Sequence, residues 1–170
     1  MPTNERTPHV GVSVAQAPLS SLLLQLVRAH AALATAMLQR LDLVAPQELV
    51  LLFLEEHGPT PQSKLVHFLG RDRSTVTSTL QTMERAGLIT RAPSTADRRA
   101  VIITLSDKGR GLCLPIREIW SELERRTFGG LTDDQRAGLA RTLVDIRQGL
   151  TAAAIHKTDD DHERAAADER

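Results

Sequence analysis

Tyrosine is absent from this chain, and other aromatic residues are few: three Phe and one Trp. Any core must therefore be aliphatic, drawn from Leu, Val, Ile and Ala. Such a core suits helices better than sheets, because strands favour aromatic and β-branched side chains. Cysteine is almost absent too. Cys113 stands alone, which excludes an intramolecular disulfide and suits a reducing compartment. Long unbroken apolar runs are missing. The longest aliphatic-aromatic run, Leu49 to Leu54, falls far short of the ~20 residues that span a bilayer. The N-terminus shows no basic segment followed by an apolar one and a small-residue cleavage site. Neither export nor membrane insertion is expected, so the expected location is cytoplasmic.

Signatures of catalysis are missing as well. There is no Gly-rich phosphate loop, no Gly-x-Ser-x-Gly and no activated nucleophile. The six His are scattered, with no His-x-x-x-His pair and no Cys partner, so no metal is expected. The chain is expected to be no enzyme and to carry no cofactor.

Net charge is zero as well, with 21 Lys and Arg against 21 Asp and Glu, but the mean hides a segregation. Between Pro61 and Arg110 nine basic residues face four acids, and between Thr158 and Arg170 six acids face two Arg. A neutral chain with a locally basic stretch remains a candidate for an anionic partner. At 170 residues, 41% hydrophobic and 25% charged, the composition fits one globular domain with appended helices.

Residues 1–17 are polar and aperiodic and read as a flexible arm. Over 18–45 the pattern is helical: Leu19, Leu22, Leu26, His30, Leu33, Met37 and Leu41 recur at spacings of three and four. Leu23, Leu24 and Val27 widen the stripe beyond what one neighbour needs, so this helix is expected to serve dimerisation. Residues 46–106 read as a winged helix-turn-helix lobe. A helix runs from Pro46 to Glu56 and closes at His57-Gly58. Thr60 is expected as N-cap of a short helix, Gln62 to Leu69, with Pro61 in its first turn. A longer helix follows from Arg73 to Ala86, stopped by Gly87. Leu88–Arg91 and Val101–Leu105 then read as a β-hairpin, whose long loop implies a function. Residues 107–152 supply two more helices, the first capped by Ser106, the second opened by Thr132 with Gln135 at capping-box spacing. Leu139, Leu143, Ile146 and Leu150 form the stripe of the second. Residues 153–170 read as an acidic, disordered or frayed tail.

The constellation that carries function lies between Thr60 and Gly109. On the helix from Arg73, the residues Val76, Leu80 and Met83 share one face and should be buried. Arg73, Ser74, Thr75, Thr77, Ser78 and Gln81 lie elsewhere. Short polar side chains let a helix sit deep in the major groove, where Gln pairs with adenine edges and Ser or Thr with any base. The free N–H groups of the first turn suit a phosphate. At the hairpin loop, Arg98 and Arg99 suit a narrow, strongly negative minor groove, and Asp97 makes sense as an internal anchor that aims one of them. Arg91, on the first hairpin strand, is grouped with these DNA contacts. The excess apolar surface of the terminal helices fits a C₂ homodimer, whose symmetry matches a palindromic site.

Leu69-Gly70-Arg71-Asp72-Arg73-Ser74-Thr75-Val76-Thr77, Met83-Glu84-Arg85-Ala86-Gly87-Leu88-Ile89, Asp97-Arg98-Arg99 and Leu105-Ser106-Asp107-Lys108-Gly109 together resemble the MarR family of bacterial transcription regulators, over about Pro18 to Leu150. The resemblance implies a mostly α fold with a small β-hairpin wing and with N- and C-terminal dimerisation helices that intertwine across a two-fold axis. It implies a homodimer on duplex DNA, with Asp97 positioning Arg99 in the minor groove and Arg98 nearer phosphate. Many members have Arg where this chain has Ser78, so a strong guanine contact of theirs is not expected here. The resemblance also implies an unknown small-molecule effector in a cleft between the dimer helices and the DNA-binding lobe, for which His30 and His67 are the candidate contacts. Thiol-sensing members carry Cys near the start of the first helix, where this chain has none, and zinc-sensing members carry His in the long helix after the wing, where residues 107–128 hold no His. Cys113, in an apolar context, reads as buried and structural. Two alternatives to a ligand-responsive repressor are a winged-helix protein-interaction module and a redox regulator acting through Cys113.

Overall fold

The computed structural model describes residues 14–94 and 100–168, with residues 152–168 as backbone only. Two compact units divide the chain, Met1–Glu124 and Arg125–Arg170.

The first unit opens with α1 (Pro18–Leu38), with Pro18 in its first turn, where a fixed φ and a missing N–H cost nothing. The periodic stretch expected to run as one helix to Leu41 tightens at its end into a 3₁₀ turn, Gln39–Leu41. Asp42 follows at φ 54°, a left-handed conformation that Asp tolerates. Next comes α2 (Gln47–His57), which ends at Gly58.

Here the structure corrects the sequence reading. Thr60 does not cap the next helix. Thr60–Pro61 forms a short strand, β1, and the Thr60 hydroxyl donates to Gly58 O at 2.9 Å. β1 pairs antiparallel with β3 (Val101–Leu105), in register Thr60↔Ile103, and β3 pairs with β2 (Ile89–Pro93), in register Ile89↔Leu105. The hairpin is thus part of a three-stranded sheet of order β1-β3-β2. Two residues are too few to show a strand period, so only the partner strand reveals this one. Pro93 is accommodated because β2 is an edge strand, where a missing N–H need break no ladder bond.

Between β1 and β2 lie α3 (Gln62–Leu69) and α4 (Arg73–Arg85), separated by Gly70 in the left-handed region. Val76, Leu80 and Met83 of α4 are buried as their spacing requires. They join an aliphatic core with Leu38, Val50, Leu51, Leu54, Leu65, Ile103 and Ile116, with Phe53 as its aromatic member. α5 (Asp107–Phe128) leaves the sheet and contributes Cys113 to the same core.

The second unit holds the end of α5 and α6 (Asp133–Asp168). Thr132 and Gln135 form the expected capping box: Thr132 N donates to Gln135 Oε1 at 2.9 Å, and Gln135 N to Thr132 Oγ1 at 3.3 Å. The backbone of α6 carries on through the stretch read from sequence as an acidic tail, to Asp168. The stretch lacks an apolar stripe, but its Ala, Glu, Lys and Arg residues are strong helix formers and no Gly or Pro interrupts them after Gly149.

Candidate nucleic-acid interface

α4 is built from its N-cap outward. Asp72, which the sequence reading left unassigned, accepts from Thr75 N at 2.8 Å, Thr75 Oγ1 at 2.6 Å and Ser74 Oγ at 2.5 Å. The hydroxyls of Ser74 and Thr75, then the backbone N–H, hold its carboxyl far below the usual carboxylate range. An Asp immediately before a helical period is a cap signal readable from sequence.

Beyond the cap, the buried stripe Val76-Leu80-Met83 fixes what points away from the lobe. Ser74, Ser78, Gln81 and Arg85, at spacings of four, three and four, form the opposite, exposed stripe. Ser78 and Gln81 have no side-chain bond among the described residues. Arg85, which the sequence reading counted only as charge, is steadied by Gln81 O at 3.3 Å and Thr82 Oγ1 at 3.1 Å. Thr79 and Thr82 donate their hydroxyl protons to Thr75 O and Ser78 O. A hydroxyl bonded in this way offers only acceptors outward.

Thr77 differs from this stripe. It is half-buried on the flank of α4, where its hydroxyl donates to Arg73 O at 2.7 Å and accepts from Gln62 Nε2 at 2.7 Å. Arg91, grouped with the DNA contacts in the sequence reading, is also engaged inside the lobe. Its Nη2 donates to Gln62 Oε1 at 3.2 Å, its Nη1 lies 3.6 Å from Glu84 Oε2, and its side chain is 19% exposed. Arg73 stands exposed at the start of α4.

The wing is held by the segment after it. Ser106 Oγ donates to Gly87 O at 2.7 Å and accepts from Gly109 N at 3.0 Å, capping α5 while gripping the end of α4. Lys108 Nζ donates to Ala86 O at 2.8 Å. A Cβ on Gly109 would sit 2.2 Å from Leu88 O, so only glycine permits this approach. This is the physical content of Leu105-Ser106-Asp107-Lys108-Gly109: it fastens the end of α4, the sheet and α5 together. The hairpin ladder extends past Pro93 through Ser94 N to Ala100 O at 2.9 Å. The loop it closes carries Asp97, Arg98 and Arg99, and these three lie outside the described residues.

The structure does not bring His30 and His67 together. His30 is half-buried on α1 and His67 is exposed on α3. Neither lines either of two cavities among the described residues of the first unit. The larger of these two, about 380 Å³, lies among Arg40, Asp42, Leu43, Ala86, Lys108 and Leu112. The smaller, about 250 Å³, lies between Met37, Arg40 and Ile119. Cys113 is fully buried, and burial followed by the nearby Glu55 carboxylate pushes its thiol up to about 11. Among the described residues no group of His, Cys, Asp and Glu is arranged to hold a metal ion.

A helix with a bare polar stripe, docked beside a β-hairpin, is the geometry of a winged helix-turn-helix. The family model described as "MarR family" matches residues 43–101, from just before α2 to the first residue of β3. The HTH-type transcriptional repressor IacR of Pseudomonas putida is 31% identical over 114 residues, covering 67% of this chain and 68% of that protein. The chain belongs to the MarR family. Another MarR-type relative, the HTH-type transcriptional regulator TtmR of Methylorubrum extorquens, is 36% identical over 121 residues, covering 66% of this chain and 57% of its own length. The chain thus spans little more than half of that relative. A cysteine-to-serine mutant of Escherichia coli MarR, solved in complex with operator DNA, superposes with a TM-score of 0.70 at 25% identity, covering 76% of this chain and 93% of that one. The MarR fold, mostly helical with a small antiparallel sheet, is therefore the fold of this chain.

Proposed function

We propose that this MarR-family chain is a sequence-specific duplex-DNA-binding transcription regulator, acting as a small-molecule-responsive repressor on a palindromic operator as a homodimer. The observation that carries the reading is the exposed Ser74-Ser78-Gln81-Arg85 stripe on α4, set opposite the buried Val76-Leu80-Met83 stripe and next to the wing. Ser74, Ser78 and Gln81 suit base edges in the major groove, with Arg73 and Arg85 on flanking phosphate and Arg98 and Arg99 of the wing loop on the neighbouring minor groove.

The homodimer is supported by α1. Leu19 is 80% exposed, Leu22 61% and Leu26 50%, one apolar face of a helix that buries only Ser21, Met37 and Leu38. Pro18–Leu41 is also long and apolar enough, by length and composition, to cross a membrane, with a mean hydropathy of 1.4. The sequence reading missed this by counting only unbroken runs. Gln25, Arg28, His30, Gln39 and Arg40 interrupt the stretch, and a face with ionisable residues suits a partner helix better than lipid. The effector reading is supported by the larger cavity, where Arg40 and Lys108 suit an anion and Ala86 marks the end of the recognition helix. The buried, high-pKa thiol of Cys113 counts against a redox regulator.

Selection of bound sequences from a random duplex pool tests the proposal. The expected product is a palindrome whose half-sites lie one helical turn apart, ~34 Å centre to centre, bound with an affinity that falls steeply with salt. Arg99→Ala is expected to weaken that binding while leaving the dimer intact. No enriched motif, or binding insensitive to salt, overturns it and favours a protein-docking module.

A further inference from the structure

We infer that Arg91 is a positioning residue that sets the roll of α4 against the wing strand and so governs sequence selectivity without touching nucleic acid, a role that rests on the DNA-binding reading above. Two routes join Arg91 on β2 to α4. One passes through Gln62 at the start of α3, which accepts from Arg91 Nη2 at 3.2 Å and donates to Thr77 Oγ1 at 2.7 Å. The other is direct, from Arg91 Nη1 to Glu84 Oε2 at 3.6 Å. Thr77 and Glu84 are seven residues apart, so they share one face about 10 Å apart along the axis. Two anchors on one flank hold both the roll and the tilt of a helix; one anchor would leave it free to pivot. A roll of about 20° would move a side-chain tip ~6 Å from the axis by about 2 Å, enough to break any hydrogen bond from Gln81 to a base.

The setting of the guanidinium fits this role better than a phosphate contact. The side chain is 19% exposed, and its Nε is buried with no hydrogen bond among the described residues. A cation so enclosed is held by its partners, and Glu84 and Gln62 are those partners. The arrangement needs a planar fork that reaches an amide and a carboxylate at once, which a lysine ammonium cannot reproduce. Arg91 thus makes the wing strand and the reading helix one rigid unit.

The test measures binding of the wild type, Arg91→Lys, Arg91→Ala, Gln62→Ala and the Arg91→Lys/Gln62→Ala double variant to the selected duplex and to an unrelated duplex. It covers a salt series, with the folded fraction followed by circular dichroism. Arg91→Lys is expected to lower affinity for the selected duplex about tenfold while leaving the unrelated duplex and both salt slopes unchanged. Gln62→Ala should do the same, and the double variant should lose no more. Selectivity retained by Arg91→Lys, with a salt slope reduced by about one unit in Arg91→Ala, would show a phosphate contact and overturn the inference. Equal loss on both duplexes with a reduced folded fraction would show a role in stability alone and overturn it too. A wild type without salt-sensitive duplex binding would instead overturn the DNA-binding reading, and the selectivity role with it.

Discussion

Asp72 shows what one exposed carboxylate does at the start of a helix. It takes three hydrogen bonds from Ser74 and Thr75, satisfying an N–H that α4 would otherwise leave open. Those bonds hold its carboxyl well below the ordinary range. A depressed acid stabilises the folded state above its unfolded pKa of about 3.9 and loses that contribution as pH falls through its folded value. Asp72→Ala is therefore expected to melt below the wild type at pH 7, with the gap narrowing steadily below about pH 4. Thermal melts at pH 7, 5, 4 and 3 check this; a gap that persists undiminished at pH 3 refutes it. The cap was legible, because Asp precedes a helical period. The bonding of Ser74 and Thr75 to it was not, because rotamers depend on the finished turn.

At the scale of the element, α4 carries two faces and a flank. The periodicity of Val76, Leu80 and Met83 gave the buried face, and subtraction suggested the open one. Subtraction alone treats every polar residue as equivalent. The structure separates Ser78 and Gln81, with no bonds of their own among the described residues, from Thr77, which is bonded to Gln62, and adds Arg85 to the exposed stripe. Gln81→Ala is expected to weaken binding to the selected duplex by tenfold or more, in line with ~1–3 kcal/mol for a bidentate base contact, with little effect on an unrelated duplex. Arg85→Ala should weaken both duplexes alike and lower the salt slope by about one unit. Fluorescence anisotropy on the two duplexes distinguishes the variants; an unchanged Gln81→Ala affinity would remove Gln81 from the interface.

At the scale of the whole molecule, the question is what covers α1. Its leucine stripe stays open while the core of its own unit closes around Leu38, Leu43 and the residues of α2 to α5. An exposed apolar face of this length seeks another surface. Leu22→Asp is expected to weaken self-association: a dimer loses two leucines, each worth about 2 kcal/mol, or roughly two decades or more in Kd. Sedimentation at micromolar concentration should show a monomer with helical content retained. A wild-type chain already monomeric there would refute the dimer, and with it a palindromic operator.

Hydrophobic periodicity and turn residues determined the helices, the hairpin and the buried face of α4, because both act over a few neighbouring residues. The same local signals pointed to the family, whose model matches residues 43–101. Tertiary structure alone decided that Thr60 pairs in a sheet instead of capping a helix, because its partner, Ile103, lies far along the chain. It alone showed that Arg91 turns toward Gln62 and Glu84. A charged side chain settles where its hydrogen bonds and its desolvation balance, and both depend on what the fold brings beside it.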